Sequence, residues 1–470
     1  MPKTPLTRET GVRIGPMGRR DFVALVGGGA AALLTRSLYA AKGGPGQRRP
    51  SIIVIVADDL GYADLGVQGC TDIPTPSIDS LAQNGVRFTN GYVSCPVCSP
   101  TRAGLLTGRY QQRFGHEFNP GAPATAATGF GLPLSQVTLA DALKAAGYAT
   151  GMVGKWHLGL APEFHPLQRG FDEFFGFLHG SHSYLNAKAE PLNLILRGTE
   201  PVDEPEYLTD AFTREALAFI ERHRAAPFFL YLTYNAVHAP MQATQKYLDR
   251  FAHIADEKRR THAAMLSAMD DGIGAVLGKL REAGLEEDTM VFFISDNGGP
   301  TPSTTASNLP LSGTKGTMRE GGIRVPFILQ WPRRLRAGRL YEPPVISLDM
   351  FPTAVLAAGG KLPRDRVIDG VDLMPYLSGK KRGAPHEILF WRMGPNAAVR
   401  KANWKLIRPG QTPAGLYDLS KDISESNDLA ARNPKAAQQL GKALAQWESQ
   451  LAEPLWGGAR AGRARRQGRS

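Results

Sequence analysis

The feature that most limits the fold is a buried apolar run that ends abruptly in polar oxygen donors, and it occurs twice. Ser51-Ile-Ile-Val-Ile-Val-Ala57 leads into Asp58-Asp59-Leu60-Gly61, and Thr289-Met-Val-Phe-Phe-Ile-Ser295 leads into Asp296-Asn297-Gly298-Gly299. Neither run alternates apolar with polar residues, so each reads as a strand covered on both faces, as in a parallel sheet. Tyr148–Gly154, Pro227–Tyr234 and Val325–Trp331 read as further strands, and Leu139–Ala146, Thr209–His223, His262–Ala283 and Leu348–Ala358 carry helical spacing. Strands alternating with helices predict an α/β sandwich with a large, mostly parallel sheet. Ligands of such sheets gather at the carboxyl ends of the strands. That directs attention to Asp58, Asp59, Asp296 and Asn297.

Four oxygen donors with no His or thiolate cluster beside them suit a hard cation, Ca2+ or Mg2+, rather than zinc. A helix cap for one aspartate and a turn at Asn297-Gly298 are the structural alternatives. Between these strands lies Pro96-Val97-Cys98-Ser99-Pro100-Thr101-Arg102-Ala103-Gly104-Leu105-Leu106-Thr107-Gly108-Arg109. Here Ser99 suits a helix N-cap and Pro100 the first helical position, which sets Cys98 at a helix N-terminus with Arg102 one turn on. The helix dipole and the guanidinium together favour an anion. Cys95-Pro-Val-Cys98 is also a C-x-x-C, the spacing of a redox pair or half a zinc site, but Cys70 is the only other cysteine.

Further candidates follow the later strands. Lys155 and His157 flank Trp156, and on an extended backbone they share one face. His238 stands in Val-His-Ala-Pro240 beyond the Pro227–Tyr234 run. Lys315 lies in the Gly-rich stretch Ser312–Pro326, which lacks the preceding glycine of a nucleotide-binding P-loop. Ser181, His182 and Tyr184, in the Gly-containing loop from His179 to Tyr184, are candidate substrate contacts.

Two of these stretches resemble the signatures of the sulfatases: Cys98-Ser-Pro-Thr-Arg102 with Leu106-Thr-Gly-Arg109, and Gly147-Tyr-Ala-Thr-Gly-Met-Val-Gly-Lys-Trp-His157. Phe164–Gly176 is similar to the branch containing arylsulfatase A and N-acetylgalactosamine-6-sulfatase. The resemblance implies an alkaline-phosphatase-like fold with a smaller C-terminal antiparallel sheet-and-helix subdomain. It also implies that a formylglycine-generating enzyme oxidises Cys98 to formylglycine (3-oxoalanine), whose hydrate attacks sulfur. Asp58, Asp59, Asp296 and Asn297, with the group made from Cys98, would hold the cation. Arg102 and Lys155 would fix the hydrate, His157 would take a proton as sulfate leaves, and His238 and Lys315 would serve the leaving group and the sulfate. The implied substrate is a sulfated glycan or small molecule, a carbohydrate sulfate of galactose or N-acetylgalactosamine type, with aryl sulfates as artificial substrates. A phosphonate or phosphodiester hydrolase of the same superfamily and a non-catalytic binder of sulfated glycans are the rival readings.

The formal charge of +12 belongs to the ends. Residues 1–50 carry nine Lys/Arg against two acids, residues 457–470 carry five Arg, and residues 51–456 are neutral. Nucleic-acid binding by the folded body thereby loses its electrostatic basis. Arg19-Arg20-Asp21-Phe22-Val23, the apolar run to Leu34 and Ala40-Ala41 look like a twin-arginine export signal, too short for a stable membrane anchor. The expected organisation is a signal at 1–41, a linker at 42–50, a catalytic domain at 51–362, the C-terminal subdomain at 363–456 and a basic tail at 457–470, in a periplasmic or secreted protein. With Cys98 converted, Cys70 and Cys95 would remain as a potential disulfide in an oxidising compartment.

Overall fold

The computed structural model describes residues 49–121 and 129–457; the expected signal and basic tail lie outside the described residues. Ten strands form the main sheet: β1 (Ser51–Ala57), β2 (Val86–Phe88), β4 (Ala149–Lys155), β5 (Glu173–Phe177), β6 (Leu196–Arg197), β7 (Glu200–Pro201), β8 (Phe228–Thr233), β9 (Thr289–Ser295), β10 (Phe327–Gln330) and β11 (Arg339–Tyr341). Their order is β11-β2-β10-β9-β1-β8-β4-β5-β6-β7. The centre is parallel, with β1 between β9 and β8 and β4 between β8 and β5. The Val325–Trp331 run is shorter than expected, and as β10 it pairs antiparallel with both β9 and β2. Two short strands, β3 (Gly91–Tyr92) and β12 (Val345–Ile346), pair beside it.

Alternate residues of β1 explain the sandwich. Ile53, Ile55 and Ala57 enter one core with α1 (Pro76–Gln83), α4 (Leu208–His223) and α5 (Glu257–Glu282). Ile52, Val54 and Val56 enter the other with α2 (Cys98–Thr107), α3 (Leu139–Ala145) and α6 (Met350–Ala357). Every β1 side chain is buried, so the absence of polar alternation in its sequence follows from cover on both faces. Helix α3 starts as expected, with a capping box between Thr138 and Asp141. Helix α5 begins five residues earlier than its apolar spacing indicates, because Asp256 caps it through the Arg259 N–H at 2.6 Å.

A second, antiparallel sheet follows: β13 (Ile388–Met393), β14 (Asn396–Lys401), β15 (Trp404–Arg408) and β16 (Gly415–Asp418). Helix α7 (Pro434–Glu448) covers it with Leu440, Leu444 and Trp447, the last stacked on Phe390 at 5.0 Å. This sheet shares the α2-side core with the main body, and Trp391 packs on Tyr92 at 5.3 Å. The fold is the expected large, mostly parallel sheet with a smaller antiparallel sheet and helix.

Candidate active site at the carboxyl ends of the strands

The ends of β1, β4, β8 and β9 bring four segments together. The turn after β1 is fixed by bonds to its neighbours: Asp58 N–H donates to Ala236 O at 2.9 Å and Asp296 N–H to Ala57 O at 3.0 Å. Asp59 has φ 64 and His157 φ 60, left-handed conformations that non-glycine residues adopt at a cost of about 1–3 kcal/mol. Two such residues in one site show that tertiary contacts hold the backbone there.

Cys98 is the first residue of α2 and only 1% exposed. Its Sγ lies 3.3 Å from Lys315 Nζ and 3.6 Å from Asp58 Oδ1. Lys155 Nζ bonds Asp58 Oδ2 at 2.5 Å, and Lys315 Nζ bonds Asp59 Oδ1 at 2.6 Å. Arg102, with no exposed surface, donates Nε and Nη2 to Asp296 Oδ2 at 3.0 and 2.8 Å and Nη1 to Lys155 O at 3.0 Å. Asn297 Nδ2 donates to Asp59 Oδ1 at 2.7 Å, while its buried Oδ1 has no donor.

Three carboxylates and an unmet amide oxygen fit a hard divalent cation. Along the chain no His or thiolate cluster stands beside these donors; in the fold the implied ligand Cys98 joins them, and so does His238. Ligand atoms of Asp58, Asp59, Cys98 and His238 all lie within 4.8 Å of one another. His238 enters the group from a loop 180 residues downstream, a proximity that linear spacing does not encode. Its Nε2 lies 3.6 Å from Asp59 Oδ2 and its Nδ1 2.5 Å from Ala239 O.

Electrostatics sort the groups into roles. Burial would raise the Asp58 carboxyl, but Lys155, His238 and Arg102 outweigh it and hold the acid below its ordinary range. Burial would also discharge Lys315, yet the Cys98 sulfur and the carboxylates of Asp59, Asp58 and Asp296 raise its pKa and keep it a cation. Burial, reinforced by Lys155, Arg102, His179 and Lys315, pushes His157 well below 6.5. It is therefore a neutral imidazole at pH 7, and its buried Nδ1 has no partner. Burial pushes the Cys98 thiol up to about 12 and raises Cys95 as well. A redox C-x-x-C needs a readily formed thiolate, so these two protonated thiols argue against that reading.

Several local expectations change. Ser99 is not an N-cap: Val97 occupies that position without a side-chain bond. The Ser99 hydroxyl donates to His157 O at 2.6 Å and meets His116 Nε2 at 2.6 Å, so it ties α2 to the turn after β4. Lys155 and His157 do not share a face through extended backbone, because β4 ends at Lys155 and His157 turns left-handed. Tyr184 and His182 are each 1% exposed. The Tyr184 hydroxyl lies within hydrogen-bond reach of Asn235 O and of His238 O, the latter at 2.8 Å, buttressing the His238 loop, and His182 packs on Phe177 at 5.2 Å with Nδ1 on Ser183 O. Ser181 is half-buried. The residue of this loop that reaches the site is His179, whose ring lies 5.9 Å from that of His157. Cys70 and Cys95 are free thiols, with Cys70 Sγ donating to Asp72 Oδ1 at 3.2 Å and Cys95 wholly buried.

A family model described as Sulfatase matches residues 50–360, and one described as N-sulphoglucosamine sulphohydrolase, C-terminal, matches residues 314–452. Steryl-sulfatase of Mus musculus is 32% identical, over 90% of this chain and 88% of its own length. N-acetylgalactosamine-6-sulfatase of Mus musculus is 37% identical, over 76% and 71%. The crystal structure of Ps i-CgsB superposes with a TM-score of 0.83 at 36% identity, covering 87% of this chain and 95% of that one, and the same protein has been crystallised with k-i-k-neocarrahexaose.

Proposed function

Because this chain belongs to the sulfatase family and is a sulfuric ester hydrolase, we propose that it desulfates a carbohydrate, using formylglycine made from Cys98 and a divalent cation, Ca2+ with Mg2+ as the alternative. The observation that carries the proposal is the convergence on Cys98 of Lys315 at 3.3 Å and Asp58 at 3.6 Å, with Arg102 and Lys155 buried behind. The aldehyde hydrate supplies an oxygen nucleophile and the cation a Lewis acid for the sulfate oxygens.

The chain's own residues do the rest. Asp58, Asp59, Asp296 and Asn297 would hold the cation. Lys315, kept charged, binds sulfate oxygens, and Lys155 and Arg102 orient the group at position 98 and balance its charge. His238 stands 3.6 Å from Asp59 at the more open side of the site and serves the departing alcohol. Neutral His157 accepts a proton in the later step.

A sugar substrate is supported by the likeness to N-acetylgalactosamine-6-sulfatase and to a structure crystallised with neocarrahexaose; the comparable identity to steryl-sulfatase makes a steryl sulfate the necessary control. We place the catalytic domain at 51–362 and the C-terminal subdomain at 363–456, exported to the periplasm or beyond by the signal at 1–41. No described helix is long and apolar enough to cross a membrane.

Peptide mass spectrometry of Cys98 paired with turnover tests the reading. Protein made with a formylglycine-generating enzyme should release sulfate from defined sulfated sugars in proportion to its converted fraction, and Cys98→Ala should release none. Faster turnover of an aryl phosphonate or phosphodiester would move the enzyme to the rival hydrolase class. A wholly unmodified cysteine in competent material would favour a glycan-binding role.

A further inference from the structure

The Lys315 loop is bracketed by contacts from Glu425, in the segment between β16 and α7. Gly313 and Gly316 both have positive φ, +83° and +85°, a conformation glycine adopts without strain. On the nucleophile side it is tied by Gly316 N–H to Pro96 O at 2.9 Å and by Thr314 Oγ1 to Gly299 O at 2.6 Å. On the other side Gly321 N–H donates to Ser312 O at 2.7 Å, joining the ends directly, and one side chain bridges both. Glu425 Oε2 accepts from Ser312 Oγ at 2.9 Å and from Glu320 N–H at 2.8 Å, and Glu425 O accepts from Arg319 Nη1 at 2.9 Å.

Glu425 is 1% exposed and sits at φ 53, in the left-handed region. A buried carboxylate on a strained residue costs free energy twice, and such sites persist where the surroundings over-determine them. What balances the charge is Lys405, on β15 and without exposed surface, whose Nζ lies 2.7 Å from Glu425 Oε1 and 2.7 Å from Glu320 Oε1. Glu320 is in turn bonded by the Tyr92 hydroxyl at 2.6 Å and lies 3.4 Å from Arg324. None of these groups touches Cys98 or the four oxygen donors.

We propose that Glu425, neutralised by Lys405, is the positioning residue for Lys315: the segment after β16, anchored on the C-terminal sheet through Lys405, sets the reach of the sulfate-binding lysine by clamping residues 312 and 320 on either side of it. The inference rests on the sulfate-binding role given to Lys315 above. Glu425→Gln keeps the volume but loses the charge facing Lys405, and the loop relaxes away from Cys98.

The test is a double-mutant cycle of Glu425→Gln with Lys315→Ala, read as kcat/KM and as inhibition by inorganic sulfate, at a temperature where circular dichroism shows each variant folded. Lys315→Ala should lower kcat/KM by on the order of a hundredfold and weaken sulfate inhibition. Glu425→Gln should lower kcat/KM at least about tenfold in the parent and weaken sulfate inhibition with it, but change kcat/KM less than about twofold in the Lys315→Ala background, the non-additivity of residues acting as one unit. Glu425→Asp, which retains the charge on a shorter side chain, should lie between parent and Gln. Equal factors in both backgrounds, or an unchanged kcat/KM in folded Glu425→Gln, would overturn the proposal. So would failure of both Gln and Asp variants to fold, since the cluster would then be a stability element alone. A Lys315→Ala enzyme with unaltered kcat/KM and sulfate inhibition would remove the reading of Lys315 itself, and the clamp with it.

Discussion

Asn297 has no exposed surface, gives its amide nitrogen to Asp59 and leaves its Oδ1 without a donor. An unmet buried oxygen costs about 1–3 kcal/mol, which a bound cation would relieve. Chelator-treated protein is therefore expected to gain thermal stability on titration with Ca2+, about 2.7 kcal/mol at a hundredfold excess over Kd. For Asn297→Ala, a tenfold loss of affinity would reduce the gain at the same concentration to about 1.4 kcal/mol, read by calorimetry. Asp58, Asp59, Asp296 and Asn297 were legible in the sequence because each pair follows a strand with a continuous apolar centre. Ser99 and His157 were legible only as participants. The Ser99 hydroxyl is directed to a carbonyl 58 residues away, and His157 reaches its place through a left-handed turn that no local pattern announces. Glu425 carried no signal at all, since its partners lie 105 and 113 residues upstream.

At the scale of the element, β4 shows how closely the strands must approach to deliver Lys155. Gly154 has φ +115°, and a Cβ there would stand 1.9 Å from Thr233 O on β8. Gly154→Ala combines backbone strain with a clash against a neighbouring strand, a cost on the order of 3–5 kcal/mol. Denaturant unfolding should register that loss, and turnover per folded molecule should fall because Lys155 is the next residue. The central strands were readable because cover on both faces imposes continuous apolar sequence. The antiparallel turn of β10 and the two-residue strands were not, because chain direction and short edge pairing leave no periodicity behind.

For the whole molecule, the joint between the two sheets has its own titrating group. His386, beside β13, bonds Asp349 Oδ1 at 2.7 Å, and Asp349 also accepts from the N–H groups of Ile346 and Val371. Burial would lower the imidazole pKa, but Asp349 outweighs it and holds the value above 6.5. A folded-state pKa above the unfolded one stabilises the fold fully below pH 6.5, and the contribution fades as pH rises through the folded value. The stability gap between the parent and His386→Gln should thus be widest in mild acid and narrow toward alkaline pH, as followed by urea unfolding across that range.

The sulfur of Cys98 sits at the foot of α2 with 1% of the residue open to solvent, closed in by Lys315 and by the turn after β1. A maturation enzyme has to seat this thiol in its own catalytic cleft, and the finished molecule offers no room for that approach. Under the proposed formylglycine chemistry, oxidation of Cys98 would have to precede folding, which would make folding the deadline for acquiring activity. A peptide spanning Ser94–Arg109 should be converted readily by the maturation enzyme, whereas protein that folds first should remain a thiol however long the two are mixed.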